Sequence, residues 1–176
     1  MRTLFTVALS ALFLTGCASV PMAPNPLALA DRSAVHVEQV SVHWTLTPSD
    51  NKHKGRNVFP EEEKPEVAAD IESQVRKEFS AAPAGPEAVL LRIDIKDYSG
   101  MCGHGTDGCT TAIDADVHVI RLSDHKELAV YGDVMGVSYW GTGIGAKIVG
   151  LSSPHRVHAE VASDFAQQLR AHFDGE

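Results

Sequence analysis

Hydrophobic and polar residues alternate in two neighbouring segments of the chain, around residues 89–95 and 113–119. A period of two places successive side chains on opposite faces of a β-strand. The two segments therefore predict a pair of adjacent strands with one buried face and one solvated face. The residues predicted to be buried are Val89, Leu91, Ile93 and Ile95 in the first strand and Ile113, Ala115, Val117 and Val119 in the second.

Two other segments repeat hydrophobic residues about every four positions, which is typical of one buried helix face. The first predicted helix runs from about Pro60 or Glu61 to Phe79 and has acidic residues in its first turn, where the helix dipole favours them. The second begins with Ser153 as N-cap and Pro154 in the first helical position. The predicted stripes are Val67, Ile71, Val75 and Phe79 with Ala68 beside them, and Val157, Val161, Phe165 and Leu169.

A strand is also predicted before the first helix, from about Val35 to Leu46. Its hydrophobic residues change phase between Val37 and Val40, so we expect a β-bulge near Gln39. The polar residues 47–60 are predicted to form a loop.

A turn at Ser123 to Lys126 leads to one more predicted strand, through Leu128, Val130 and Val134. The element order is then β-α-β-β-β-α. This order predicts an α+β fold in which a four-stranded, mostly antiparallel sheet carries both helices on one face.

The first seventeen residues have the pattern of an export signal: Arg2, an apolar run, and then Leu14-Thr15-Gly16-Cys17. The apolar run is about half of the ~20 residues that a helix needs to span a bilayer. The final tetrapeptide resembles the lipobox of bacterial lipoproteins. That resemblance implies cleavage before Cys17, acylation of the Cys17 sulfur and a position outside the inner membrane.

These features divide the chain into three expected parts: a signal peptide (1–16), a lipidated N-terminus with a flexible tether (17–32) and a single periplasmic domain (33–176). The proline-containing, small-residue composition of the second part predicts an extended tether without packed structure. Ala18, rather than aspartate, follows Cys17. In the sorting rule of the lipoproteins this favours the outer membrane.

The formal net charge of −8 makes negatively charged partners unfavourable. No cluster of lysine and arginine offsets the negative charge, so binding to nucleic acid or to acidic lipid head groups is disfavoured. The expected partners are the membrane, through the lipid on Cys17, and another protein of the envelope.

Two further cysteines, Cys102 and Cys109, flank a short glycine-containing loop. In an oxidising compartment such a pair is predicted to form a disulfide. A metal site is the alternative, with Cys102, His104 and Cys109 as ligands. Histidines of the last helix, His155 and His158, and His118 beside Asp114 and Asp116 were considered as further ligands, although scattered surface histidines are the simpler interpretation.

The segment 132–150 contains six glycines, and residues 141–146 match G-x-G-x-x-A. A dinucleotide site is disfavoured because no strand follows the last helix. The segment is interpreted either as a flexible edge or loop that contacts a protein partner or a membrane surface, or as a long connection that covers the sheet. The candidate contact residues are Tyr139, Trp140, Gly141, Gly143, Ile144 and Gly145.

No catalytic motif and no cofactor site are recognised in the sequence. The combined pattern resembles small periplasmic α+β lipoproteins of unknown function. More distantly, it resembles the lipoprotein that plugs the lipopolysaccharide-assembly barrel, although the chain lacks the expected basic character. The resemblance implies a non-catalytic, outer-membrane-anchored protein that binds or scaffolds another envelope component. A metal-binding lipoprotein is the alternative, and a hydrolase ranks third.

Overall fold

The structure is a computed structural model, which describes six stretches of the chain: residues 25–45, 57–58, 61–80, 85–102, 109–140 and 154–175. The strands are β1 (Val35–Trp44), β2 (Asn57–Val58), β3 (Glu87–Cys102), β4 (Cys109–Arg121) and β5 (Glu127–Trp140). The helices are α1 (Leu29–Ala34), α2 (Lys64–Ser80) and α3 (Pro154–Asp174), and a short 3₁₀ turn (Glu61–Glu63) precedes α2.

The four long strands lie in the order β1-β3-β4-β5. β1 is parallel to β3, whereas the β3–β4 and β4–β5 pairs are antiparallel. The short strand β2 pairs with Ser99 and Gly100 of β3, beyond the point where β1 ends. α2 packs on β1, α3 packs on β5 and β4, and the two helices contact each other. The predicted α+β class and the mostly antiparallel sheet are confirmed.

The buried face of the sheet carries the residues that alternation predicted. All eight hydrophobic residues predicted for β3 and β4 are fully buried, and both helix stripes are buried as well. In β1 the pairing with β3 shifts between Val37 and Gln39, which confirms the predicted bulge. The shift keeps Val37 beside Val89 and Val40 beside Leu91. Hydrophobic residues on both sides of the bulge are therefore directed toward one core.

β5 departs from the predicted pattern. Its buried hydrophobic residues are Ala129, Tyr131 and Val134, whereas Val130 is 37% exposed. Two residues of β5, at positions 132 and 133, lie opposite Asp116 in a bulge that changes the phase of the strand. Residues 132–140, interpreted from the sequence as the start of a mobile edge or loop, form the second half of this edge strand.

The chain is packed from Asn25 onward, so the folded domain begins before residue 33. Leu27 is 2% exposed and belongs to the core. The Asn25 amide donates to the main-chain carbonyl of His172 (2.6 Å), and its oxygen accepts from the Tyr131 hydroxyl (3.0 Å). Arg32 donates to the carbonyl of Phe173 (3.2 Å) at the C-terminus of α3, where cations are favoured. The part of residues 17–32 that lies within the structure therefore packs on the domain.

The opposite edge of the sheet is stabilised by a side chain of α2. Arg76 donates from its two terminal nitrogens to the carbonyls of Glu38 (3.3 Å) and Val40 (3.4 Å), which flank the β1 bulge. Glu72 holds the same guanidinium at 2.7 Å. Within the described stretches, no helix is long and apolar enough to cross a membrane.

Gly136 is the point of closest approach between β5 and α3. A Cβ atom at this position would lie 2.5 Å from Cβ and 2.7 Å from Cα of Phe165. We predict that Gly136→Ala lowers the free energy of unfolding by about 1–3 kcal/mol, because the backbone of α3 has to move. Chemical denaturation of the purified protein measures this change.

Gly132→Ala is the matched control on the same strand, because the nearest atom to a Cβ there is 3.6 Å away. We expect that variant to stay within about 0.5 kcal/mol of the wild type. Equal stability of the Gly136→Ala and Gly132→Ala variants would show that the close packing is not a constraint.

Candidate interaction surface

The face of the sheet opposite the helices carries an ionic network centred on Lys96. The Lys96 ammonium lies 2.8 Å from a carboxylate oxygen of Asp116 and 3.5 Å from one of Asp114, and it also binds Asp133. Burial lowers the pKa of Lys96, but the hydrogen bonds to Asp116 and Asp133 and the charge of Asp114 outweigh this and raise it above its usual range. Lys96 therefore remains charged at any physiological pH.

The two carboxylates on β4 have opposite pKa shifts, although both contact the same ammonium. Burial raises the pKa of Asp114, and the Lys96 charge does not fully compensate. For Asp116, the hydrogen bonds from Lys96 and from the Asp133 amide (3.1 Å) outweigh burial and lower the pKa. The bulge in β5 supplies that amide. Asp133 is at a positive φ of 55°, a conformation that aspartate tolerates better than most residues.

His118 organises the second part of this open face. Its Nδ1 is 2.6 Å from the Glu127 carboxylate, and its Nε2 is 3.3 Å from the Asp94 carboxylate. Arg92 contacts the same Asp94 oxygen at 3.3 Å. Carboxylates outnumber cations in these ion pairs, so the described open face is acidic.

The free edge of the sheet is β5. Within the described residues no strand pairs with its outer side. Tyr139 is 80% exposed and Met135 is 51% exposed, and both project toward the open face. An exposed aromatic and an exposed thioether at the end of an edge strand are features of a protein contact surface.

α3 supplies two carboxylates to this edge. Asp164 accepts a hydrogen bond from the main-chain amide of Val137 (2.7 Å), and Glu160 accepts one from the Ser138 hydroxyl (3.2 Å). The two acids are four residues apart, so they lie on one side of the helix. The close approach of α3 at Gly136 brings this side to the strand.

A polar cluster lies inside the domain, at the end of the sheet where α3 begins. His158 is fully buried, and its Nε2 is 3.3 Å from a Glu63 oxygen. The ring of Tyr98 lies edge-on to His158, and burial, followed by the charges of Glu63 and Asp70, raises the Tyr98 pKa. These contacts connect the start of α3 to the turn before α2. His158 is therefore a core residue and not a surface histidine.

The structure locates only some of the residues singled out from the sequence. Tyr139 lies on β5, and the backbone of Trp140 pairs with that of Cys109. Cys102 lies directly opposite Cys109 in the β3–β4 ladder. Cys17, His104, Gly141, Gly143, Ile144 and Gly145 lie outside the described residues.

The residues considered as metal ligands are not brought together where the structure describes them. His118 is in contact with Asp94 and Glu127 instead of with Asp114 and Asp116, and His158 is in the core. Across the described stretches, no group of three or more histidine, cysteine, aspartate or glutamate residues has the arrangement of a metal site. The 103–108 loop lies outside those stretches.

Asp164 and Lys96 are the residues of this surface that sequence reasoning missed. Lys96 appears in the sequence as one of the polar residues in an alternating strand, and its pairing with Asp133 depends on the β5 bulge. Asp164 occupies an ordinary polar position of α3, and nothing in the helix pattern indicates that it binds a strand amide. Both roles depend on tertiary structure.

The sequence matches no known protein family and no curated protein. Among solved structures, the chain is similar to a candidate lipoprotein from Caulobacter crescentus CB15, with a TM-score of 0.39 and 12% identity over 62% of this chain and 85% of that one. It is also similar to the PelC dodecamer from Paraburkholderia phytofirmans in two crystal forms. Their TM-scores are 0.31 and 0.27, with 12% and 15% identity over 76% and 77% of this chain and 90% and 89% of those. All three scores are too low to indicate a function for this chain.

The opposite pKa shifts of Asp114 and Asp116 predict opposite effects of neutralising each residue. A raised pKa means that the ionised Asp114 costs stability at neutral pH, so Asp114→Asn should raise the free energy of unfolding. A lowered pKa means that the ionised Asp116 contributes stability, so Asp116→Asn should lower it. The side chains are 33% and 35% exposed, and solvent screening keeps each change near ~0.5 kcal/mol.

Denaturation at several pH values checks both signs. The cost of Asp114 disappears as the pH falls from its raised pKa to the ordinary value of 3.8, and the contribution of Asp116 is lost below 3.8, as the pH falls through its lowered pKa. The two variants should therefore converge with the wild type in acid. Shifts of the same sign at neutral pH would contradict the proposed difference between the two sites.

Proposed function

We propose that this protein is a non-catalytic, lipid-anchored lipoprotein of the bacterial outer membrane that faces the periplasm and binds another envelope protein. The anchor is supported by residues 1–17, where a basic start, an apolar run and Leu14-Thr15-Gly16-Cys17 follow one another. Ala18 after the cysteine favours the outer membrane. Triacylation of Cys17 would hold the protein stably on the bilayer.

The observation that carries the binding proposal is the exposure of Tyr139 at the end of the free edge strand. Tyrosine offers a large contact area with little loss of side-chain entropy, which is why it is enriched at protein interfaces. Met135 lies four residues before Tyr139 on the same strand and adds an adaptable apolar contact. The neighbouring open face adds polar contacts around this apolar centre.

The short N-terminal segment after Cys17 keeps the domain close to the membrane. The eight residues from Cys17 to Pro24 can span at most about 28 Å. Asn25 is then held at the C-terminus of α3 by the His172 carbonyl. The tether therefore holds Asn25 within about 28 Å of the membrane, and we expect the partner of Tyr139 to be an envelope protein within reach of the anchored domain.

Photocrosslinking in cells tests the anchor and the contact surface together. We predict that the chain with benzoylphenylalanine in place of Tyr139 is found in the membrane fraction and forms a discrete crosslinked product. Cys17→Ser should release it from the membrane and reduce the product strongly, because the anchor raises the local concentration of the domain near its partner.

The same crosslinker in place of Ser73, an exposed residue of α2, is the control on the helix-covered side of the sheet. It should give no discrete product. Crosslinking that is equal at both positions, or absent at Tyr139 while the protein is on the membrane, would contradict the proposed contact surface. Retention of the Cys17→Ser variant on the membrane would contradict the anchor.

Pairing of Cys102 with Cys109 is the remaining prediction for an envelope protein. The ladder places the two residues directly opposite each other, a separation that a disulfide can bridge. We expect protein isolated from the envelope to be two hydrogens lighter than its reduced form. Reduction should lower the free energy of unfolding by about 2–3 kcal/mol on the loop-entropy model.

A Cys102→Ser, Cys109→Ser double variant is the control, because its stability should not respond to reductant. Intact mass spectrometry under native conditions also separates the two interpretations of this pair. Free thiols together with one bound metal ion would contradict the disulfide.

A further inference from the structure

The outer side of β5 presents backbone groups for pairing with another strand. The Val137 amide donates to Asp164 of α3, so it is directed away from β4. Pairing of β4 with β5 is regular from Val134 to Trp140. In a regular antiparallel ladder, residues two apart direct their backbone groups to the same side. The amides and carbonyls of Met135 and Tyr139 therefore also lie on the outer edge.

This part of the edge lacks the features that normally prevent strand addition. Residues 134–140 contain no charged residue and no proline, and no bulge interrupts their pairing with β4. The bulge at positions 132–133 lies before them. Where the structure describes the edge, the main obstacle to strand addition is the Asp164 carboxylate. It occupies the amide of Val137, one of the three outward amides at Met135, Val137 and Tyr139.

The charges around this edge are acidic. Asp133 is 84% exposed, and Glu160 and Asp164 approach the strand from α3. β5 itself contains Glu127 and Asp133 and no lysine or arginine. A second copy of the chain would bring the same acids together, so pairing of two β5 edges is opposed by like-charge repulsion. A basic strand would be attracted.

We propose that the outer edge of β5 from Met135 to Tyr139 binds an extended, basic segment of the envelope partner by β-strand addition. This inference rests on the proposed function and specifies the mode of contact and the chemistry of the partner. A carbonyl of the added strand replaces Asp164 at the Val137 amide. The released Asp164 carboxylate, together with Glu160 and Asp133, then pairs with lysine or arginine side chains of the partner.

The test uses the full chain purified in detergent and a ten-residue peptide that alternates lysine with valine. We expect saturable binding that weakens with added salt, and slower hydrogen exchange at the amides of Met135 and Tyr139. A glutamate–valine peptide of equal length should not bind. A lysine–valine peptide methylated on alternate amide nitrogens keeps the charge but cannot pair as a strand, and it should bind at least about tenfold more weakly.

Two variants of one position separate backbone pairing from side-chain contact. Tyr139→Pro removes the outward amide without removing a hydrogen bond to β4, and proline is tolerated at such edge positions. It should weaken binding about tenfold. Tyr139→Thr removes the same aromatic side chain but keeps the amide in a strand-forming residue, so it is the reference for the proline variant, which should bind clearly more weakly than the threonine variant. Thermal melts establish that both variants are folded, and the methylated peptide tests the proposal on the wild-type chain if the proline variant is not.

Several results would overturn strand addition. Equal binding of the methylated peptide would show electrostatic adsorption alone. Protection of Met135 and Tyr139 that increases with protein concentration, in the absence of peptide, would identify a second copy of the chain as the occupant. If the lysine–valine peptide does not bind while the crosslinker at Tyr139 still gives its product in cells, strand addition is wrong and the proposed function stands. If neither peptide binding nor the crosslinked product is observed, the proposed function is wrong as well.

Discussion

The contact between Gly136 and the backbone of Phe165 determines how the last helix lies on the sheet. A side chain at position 136 would collide with Cα, Cβ and N of Phe165, all within 2.8 Å of the added atom. With glycine there, α3 lies directly against the edge strand. Its carboxylates at Glu160 and Asp164 then reach β5 and contact Ser138 and Val137. The exposed edge, its acidic surroundings and its single occupied amide all follow from this close approach.

Each edge of the sheet is stabilised by a charged side chain from the helix that covers it, but the two solutions differ. At β1 the bulge leaves carbonyls of Glu38 and Val40 directed outward, and Arg76 of α2 can donate to both. At β5 an amide is directed outward, and Asp164 can accept from it. Each helix thus offers the charge that the free backbone groups require. Because one carboxylate satisfies one amide, more of the β5 edge remains open.

Sequence patterns predicted the parts of the fold in which periodicity and burial agree. The hydrophobic residues that the patterns selected between Val67 and Phe79, between Val89 and Ile95 and between Ile113 and Val119 are buried as expected. The predicted strand through Leu128, Val130 and Val134 is present, but the phase of its buried residues was not predicted, because the bulge before Val134 changes it. Sequence patterns also missed the packing of residues 25–32, where Leu27 belongs to the core. Of the candidate surface, Tyr139 was found from sequence, whereas Asp164 depends on which strand α3 contacts.

The start of the described chain and the exposed edge of β5 are held by the same helix. Asn25 and Arg32 bind the last carbonyls of α3, and Asp164 and Glu160 of α3 lie against β5. About nine residues of helix separate Asp164 from Phe173, which is roughly 14 Å along the axis. A helix that is buried along Val161, Phe165 and Leu169 cannot bend easily between these points. The position of the edge strand relative to Asn25 is therefore fixed by α3.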